Sequence, residues 1–478
     1  MQTHRFLRSG LAAVALTALA QTGPGVPQIA RLLTADALKA DVSYLASDEL
    51  EGRGTPSPGL DKAAEYIAAQ FRSAGLEPGG DDGYFQTATF ETVEKNPEAS
   101  VTITIDGRKF EVASEAIAVQ QAAKVDLADE PALHRAAKDL AALGAEGIRG
   151  KVLLLDPGGG IGFGERFQPA AVIALAGAPP RAGRGRAPAL REVSATPTFP
   201  TVTISDAGVR AAVMAAPNAE IKISAHIAPV VKRFPLRNVV GVLRGSDAAL
   251  KETCVVVSAH YDHLGVRAEG EGDRIFNGAN DDASGTASVM EISRALAGQA
   301  ARPRRSIVFV AFFGEEEGGL GSRYYAQHPV FPAPKIVANV NLEQLGRTDD
   351  TQGPKVGQFN LTGFDFTTMG AIFQQAAKDA GVQAVKDAAN SDSYFARSDN
   401  ARFADLGIPS TTASVAYDFP DYHGVGDEAG KLDYQNMAKV DAALALAVLR
   451  IADSAELPQW NAEIPATARY IRARGAGR

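Results

Sequence analysis

A chain of 478 residues with a single cysteine cannot close an internal disulfide, so its stability has to come from core burial and from any metal it holds. That cysteine, Cys254, opens the apolar run Cys254-Val255-Val256-Val257, which reads as a buried strand residue rather than a nucleophile. An excess of positive charge is missing too. The formal net charge of −8 argues against a basic nucleic-acid-binding surface as the main purpose. Long apolar runs are also scarce. The segment Leu11 to Leu19 is too short to span ~30 Å of hydrocarbon. With Arg5 and Arg8 before it and Ala18-Leu19-Ala20 at its end, it reads as a cleaved secretory signal over residues 1–20. No cysteine follows the run to take a lipid. The mature chain is therefore expected in the periplasm or outside the cell, with no stable membrane insertion after cleavage.

What is present is an ordinary globular composition, 45% hydrophobic and 22% charged, in a length that suits two to three domains. Helical spacing runs over Leu38 to Leu50 and Asp61 to Gly75. Between residues 98 and 228 the texture changes to short β-like runs (101–105, 152–155, 172–175, 201–204) divided by Gly/Pro loops, and predicts an insert. From Asn238 onward apolar strands alternate with helices: 239–243, 255–258, helix 284–296, 307–312, 336–340, helix 367–380. This alternation predicts an α/β fold with a mainly parallel, doubly wound sheet whose helices cover both faces. The expected divisions are a signal at 1–20, an amino-terminal part of the catalytic domain at 21–97, the β-rich insert at 98–228 and the catalytic domain at 229–478. Two features of the insert are set aside. Gly158-Gly159-Gly160-Ile161-Gly162 opens no helix that could hold a pyrophosphate. Arg181, Arg184, Arg186 and Arg191 are interleaved with Gly and Pro and read as a solvated loop.

In open parallel sheets ligands gather beyond the carboxyl ends of strands, so chemistry is sought just after each apolar run. After 255–258 comes His260-Tyr261-Asp262-His263, an imidazole with a carboxylate two residues on that can accept its other N–H. Gly278-Ala279-Asn280-Asp281-Asp282-Ala283-Ser284-Gly285 opens a helix, where Asp281 could be a simple N-cap. Glu315-Glu316-Glu317 follows 307–312; adjacent carboxylates repel unless a dipositive ion reverses the balance, letting one bind it and its neighbour take a proton from acidified water. Asn341-Leu342-Glu343 and Asp421-Tyr422-His423-Gly424 complete a set of nitrogen and oxygen donors without thiolate, which suits catalytic zinc or a similar divalent ion.

The ordered motifs HYDHLG, GANDDASG, GEEEGGLGS, NLEQLG, ARSDNARFADLGIP and DYHGVGDE resemble those of the co-catalytic two-zinc aminopeptidases of the aminopeptidase S and aminopeptidase Y kind, whose core is shared with glutamate carboxypeptidase and glutaminyl cyclase. The opening ALKADVSYLASDELEGRGTPSPG is similar to exported bacterial members, and the insert to a protease-associated domain. The resemblance implies two zinc ions per chain. His260 and Glu343 would bind one, Glu316 and His423 the other, and Asp281 would bridge them. It further implies Glu315 as general base, Asp262 orienting His260, Arg397 and Tyr422 contacting substrate, and a cis peptide between Asp281 and Asp282. His4, His134, His226, His263 and His328 receive no role. Two departures stand out: Glu343 where the family has aspartate, and Asn400 where it has histidine. One extra methylene moves a carboxylate by ~1.5 Å and threatens the His260 side of the site, whereas Asn400 is no ligand position and bears on packing or outer hydrogen bonds. The implied function is an exopeptidase acting on peptides, most simply an aminopeptidase; a carboxypeptidase or other zinc amidohydrolase on the same core is the alternative, ahead of a noncatalytic binding protein.

Overall fold

The computed structural model describes residues 26–476 apart from 120–122, 135–139, 141, 158–166, 177–189 and 194–198. The signal-like segment, the Gly158–Gly162 loop and Arg181, Arg184 and Arg186 lie outside the described residues. The chain forms two compact units, one of Met1–Phe85 with Asn238–Arg478 and one of Gln86–Arg237. The second unit is thus wider at both ends than the 98–228 segment marked by its texture. The reason is local: the chain passes between units within strands Phe85–Glu94 and Val230–Leu243, so no loop marks either crossing. Val240 N–H donates to the Tyr84 carbonyl at 2.7 Å, so the chain leaves the first unit beside the place where it returns.

In the first unit, helix α1 (Ala35–Leu45) is capped by Thr34 and α2 (Pro58–Ser73) by Ser57, whose hydroxyl accepts from Leu60 N–H. Leu60, Ala63, Ala64, Ile67 and Phe71 form the buried stripe of α2. The expected helix 38–50 stops at Leu45. Asp48–Arg53 forms a tighter turn with Glu51, Gly52 and Arg53 in left-handed backbone (φ 47°, 66° and 50°). A side chain on Gly52 would meet the carbonyl oxygens of Phe276 and Gly265 at 2.4 and 2.5 Å, so only glycine fits there.

Strands β1 (Val230–Leu243, which enters this unit at Asn238), β2 (Cys254–His260), β3 (Ser306–Phe312), β4 (Ile336–Leu342), β5 (Gln358–Leu361), β6 (Gln383–Val385) and β7 (Ser410–Ser414) lie in the order β6-β5-β7-β4-β2-β3-β1. The core pairs β7-β4, β4-β2 and β2-β3 are parallel; β1 and β5 run antiparallel to β3 and β7. The sheet is mixed, with the parallel centre that the alternation of strands and helices predicts. Every residue of β2, β3 and β4 is buried, as strands covered on both faces by helices require. Cys254 is among them, and burial pushes its thiol far above the usual range, consistent with an inert core residue. Helices α3 (Gly285–Ala297), α4 (Leu320–Gln327), α5 (Met369–Ala380), α6 (Asn400–Asp405) and α7 (Tyr434–Asp453) complete this layer arrangement. Among the described residues no helix is long and apolar enough to cross a membrane.

The second unit has its own core, in which Leu154 is fully buried among Val101, Ile103, Val152, Ile173, Val202 and Ile223, and helix Ala207–Ala215 adds Val209 and Val213. Among the described residues, one sheet of this unit has eight strands in the order Arg108–Glu111, Ser100–Ile105, Ile221–Ile227, Val125–His134, Val152–Leu155, Ala171–Leu175, Thr201–Ile204, Ile117–Val119. The four β-like runs of the sequence fall on four of them. Arg191 leaves its basic run to pair with Glu91 at 2.8 Å inside this unit.

Two buried polar seams tie the first unit together. Arg53, with none of its surface exposed, donates to the carbonyls of Leu45, Tyr261 (2.8 Å), Asn277 (2.7 Å) and Gly278 (2.9 Å), and so joins the end of α1 to the loops that follow β2 and precede α3. Removing a buried cation from such a network leaves carbonyls unpaired and neighbouring carboxylates uncompensated. Arg53→Met is expected to lower unfolding free energy by ~3–5 kcal/mol, and Arg53→Lys to restore little of it because an ammonium lacks the planar fork. Denaturant unfolding measures this, and a loss below ~1 kcal/mol would exclude the clasp.

The second seam sets Asp41 of α1 against Glu291 of α3, with Tyr66 donating to Asp41 at 2.7 Å and Arg294 paired to Glu291. Burial pushes the Glu291 carboxyl up to about 8. Between its ordinary value and about 8 the folded chain keeps a proton that the unfolded chain has released, so stability falls as pH rises through that window, by at most ~1.4 kcal/mol per pH unit. Glu291→Gln should flatten the slope between about pH 5 and pH 8. Unfolding curves across that window that keep the wild-type slope in this variant would place the titration elsewhere.

Candidate metal centre

The site is assembled where the parallel strands end. His260 is the last residue of β2, Glu315 and Glu316 follow β3, Glu343 follows β4, and Asp281 lies in the turn before α3. A buried strand end holds a side chain with little freedom, and each loop is then tied by backbone hydrogen bonds. Asp262 accepts from Glu315 N–H (3.0 Å) and Glu316 N–H (3.3 Å), joining the β2 and β3 loops. Its carboxylate stands 3.6 Å from His260 Nδ1, while the Asp262 carbonyl is nearer at 3.2 Å. Asp282 takes the first N–H of α3, accepting from Gly285 (2.9 Å), and also accepts from Gln344 N–H (3.1 Å). The simple capping role thus falls to the neighbour, and Asp281 is left to face the site. The peptide between the two is cis, as the resemblance implies. Asp427 accepts from the backbone of Asn280 and Asp281 at 3.0 Å and fixes the same turn.

Asp281 presents one oxygen to each of two imidazoles. Its Oδ1 is 3.3 Å from His260 Nε2 and its Oδ2 is 3.1 Å from His423 Nε2. Glu343 Oε1 lies 3.4 Å from His260 Nε2, and Glu316 Oε1 lies 3.3 Å from His423 Nε2. The structure therefore brings His260, Asp281, Glu316, Glu343 and His423 together, in two clusters that share Asp281. The longer side chain of Glu343 still reaches its cluster, steadied by Ser398, whose hydroxyl donates to Glu343 Oε1 at 3.0 Å. Asn400 is buried outside the clusters, donating to the Phe395 carbonyl (2.8 Å) and accepting from Thr412 (3.0 Å).

His260 Nε2 and Glu316 Oε1 are buried, close to opposite partners, and yet make no hydrogen bond. Atoms so placed are aimed at common points rather than at one another, and leaving them unpaired would cost about 1–3 kcal/mol each. Divalent ions fit this donor set of imidazole and carboxylate. Among the described residues, His260-Asp281-Glu343 and His263-Asp281-Glu316 each bring three donor atoms within 4.8 Å of one another.

Electrostatics follow from burial. Burial opposes the charge on Asp281, but the imidazoles of His260 and His423 hold its carboxyl well below the usual range. Burial likewise opposes a charge on His423, yet Asp281 and Glu316 push it up to about 10. Glu315 is raised well above an ordinary glutamate, by burial first and, against the pull of His260, by Glu343, Asp399 and Glu316. Glu315, Arg397 and Tyr422 line one cavity of about 170 Å³ with Asp281, Glu316, Glu343 and His423. Tyr422 stacks on His423 with ring centroids 4.1 Å apart.

Three residues near the site escaped the sequence reading. Arg53 signals itself only as part of the string DELEGRG, with nothing local to mark it as buried. Arg347, paired with Asp349 and Asp421 at 2.6 and 2.8 Å, pins the loop that carries His423. His263, given no role, is buried with Nδ1 2.9 Å from Glu316 Oε1.

Comparison with known proteins agrees with this geometry. A probable zinc metalloprotease of Leptosphaeria maculans is 35% identical over 141 residues, 28% of this chain and 31% of that protein. Another, of Pyricularia oryzae, is 34% identical over 140 residues, 28% of this chain and 27% of that protein. The matches thus span less than a third of the length of these relatives. The structure of an aminopeptidase from Aneurinibacillus sp. strain AM-1 superposes with a TM-score of 0.50 at 21% identity, covering 91% of this chain and 97% of that one, which is a likeness of fold. Residues 238–448, the stretch that carries both donor clusters and Glu315, match Peptidase family M28.

Proposed function

We propose that this chain is a zinc-dependent exopeptidase, an aminopeptidase of the aminopeptidase S and Y kind, that removes amino-terminal residues from peptides. The observation that carries the reading is Asp281, one oxygen toward His260 and Glu343, the other toward His423 and Glu316. His260, Asp281 and Glu343 would hold one zinc ion, and Asp281, Glu316 and His423 a second. When bound, such ions acidify water and stabilise negative charge on a carbonyl oxygen. Glu315, on the wall of the site's cavity, would take a proton from the attacking water as a carboxylate once bound cations offset the burial that raises it, and return it to the departing amine. Asp262 keeps the Glu315 and His260 loops in register. Arg397 and Tyr422, on the wall of the same cavity, would steady the substrate carbonyl. The β-rich unit is proposed as a protease-associated insert, and export rests on residues 1–20 alone.

Glu315→Gln is expected to keep the zinc content and fold while turnover drops by at least ~10²-fold, because only the proton transfer is removed. Zinc analysis beside turnover measures both, and retained turnover excludes this base. A panel of aminoacyl p-nitroanilides should be cleaved with a free amine and spared when N-acetylated. Equal cleavage of both forms would overturn the aminopeptidase reading, and release of residues from the carboxyl end would replace it with a carboxypeptidase.

A further inference from the structure

His263 is set into the site more tightly than any histidine outside the two clusters calls for. Its ring lies edge-on to His423, centroids 5.7 Å apart, and it shares the Glu316 side of Asp281. The backbone N–H of His263 donates to the Arg53 carbonyl at 3.2 Å. The ring face rests on Gly278: a Cβ there would meet His263 Cγ and Cδ2 at 2.5 Å, so that position has to be glycine for the imidazole to be where it is. Nδ1 stands 2.9 Å from Glu316 Oε1. Both atoms are buried, and at that distance neither makes a hydrogen bond of good geometry. His260 Nε2 has the same signature, close to carboxylate oxygens without being directed at them.

We propose that His263 Nδ1 is a further nitrogen donor to the metal held by Glu316, Asp281 and His423. The proposal rests on the two-metal reading and extends it. With it the Glu316 side of the site has two imidazoles against one on the His260 side. Imidazole donors suit zinc and its first-row neighbours, so a second nitrogen fits this side to such an ion. Both ring nitrogens of His263 are buried without a hydrogen-bond partner, and coordination satisfies Nδ1 where a plain core position would not.

The test uses Co²⁺ in place of zinc in the full chain. An imidazole bound to Co²⁺ shows a far-shifted, exchangeable N–H resonance in the proton NMR spectrum. The wild-type protein should give three, from His260, His423 and His263, and His263→Asn should lose one while the other two remain. A wild-type count of two, with both resonances kept in His263→Asn, overturns the proposal and makes His263 a neighbour of Glu316 only. If His263→Asn does not fold, the wild-type count decides by itself, sharpened by 15N-histidine labelling that reads Nδ1 of each ring. Failure of the wild-type chain to take up Co²⁺ at all would be a different result, since it removes the metal reading on which this one stands.

Discussion

Asp281, Asp282, Glu315, Glu316 and Glu343 crowd one edge of a sheet, and the free energy of that crowding governs the rest of the first unit. Carboxylates taken out of water repel one another and lose hydration, so each has to find positive charge, hydrogen-bond donors or a proton. The structure supplies all three. His260 and His423 face Asp281, backbone N–H groups converge on Asp262, Asp282 and Asp427, and burial drives Glu315 toward its neutral form. Divalent cations supply the remaining compensation in the proposed function.

The scaffold makes this crowding possible. Parallel strands end side by side on one edge, so residues far apart in the chain, His260 and Glu343, come within 3.4 Å. Buried strands cannot shift register without exposing apolar faces, which keeps these ends in place. The loops beyond them are held by groups with no chemistry of their own: Arg53 under the β2 and Asp281 loops, Arg347 under the His423 loop and Ser398 beside Glu343. Precision at the centre therefore depends on polar contacts one layer out.

Much of this is legible in the chain alone. The alternation of strands and helices, the buried character of Cys254 and the strand-end positions of His260, Glu315, Glu316 and Glu343 all follow from apolar periodicity and the strand-end rule, which act within short stretches of chain. Other features are not legible there. Asp281 and Asp282 compete as caps of α3, since either carboxylate can reach a helix N-terminus and the geometry of the turn selects one. The end of α1 at Leu45 is likewise hidden, because the left-handed Glu51-Gly52-Arg53 turn packs Gly52 against the carbonyls of Gly265 and Phe276, far along the sequence. The burial of Arg53 and the approach of His263 to Glu316 emerge when the chain is packed. Their partners are backbone carbonyls and carboxylates gathered from distant segments, and spacing along the chain carries no record of such contacts.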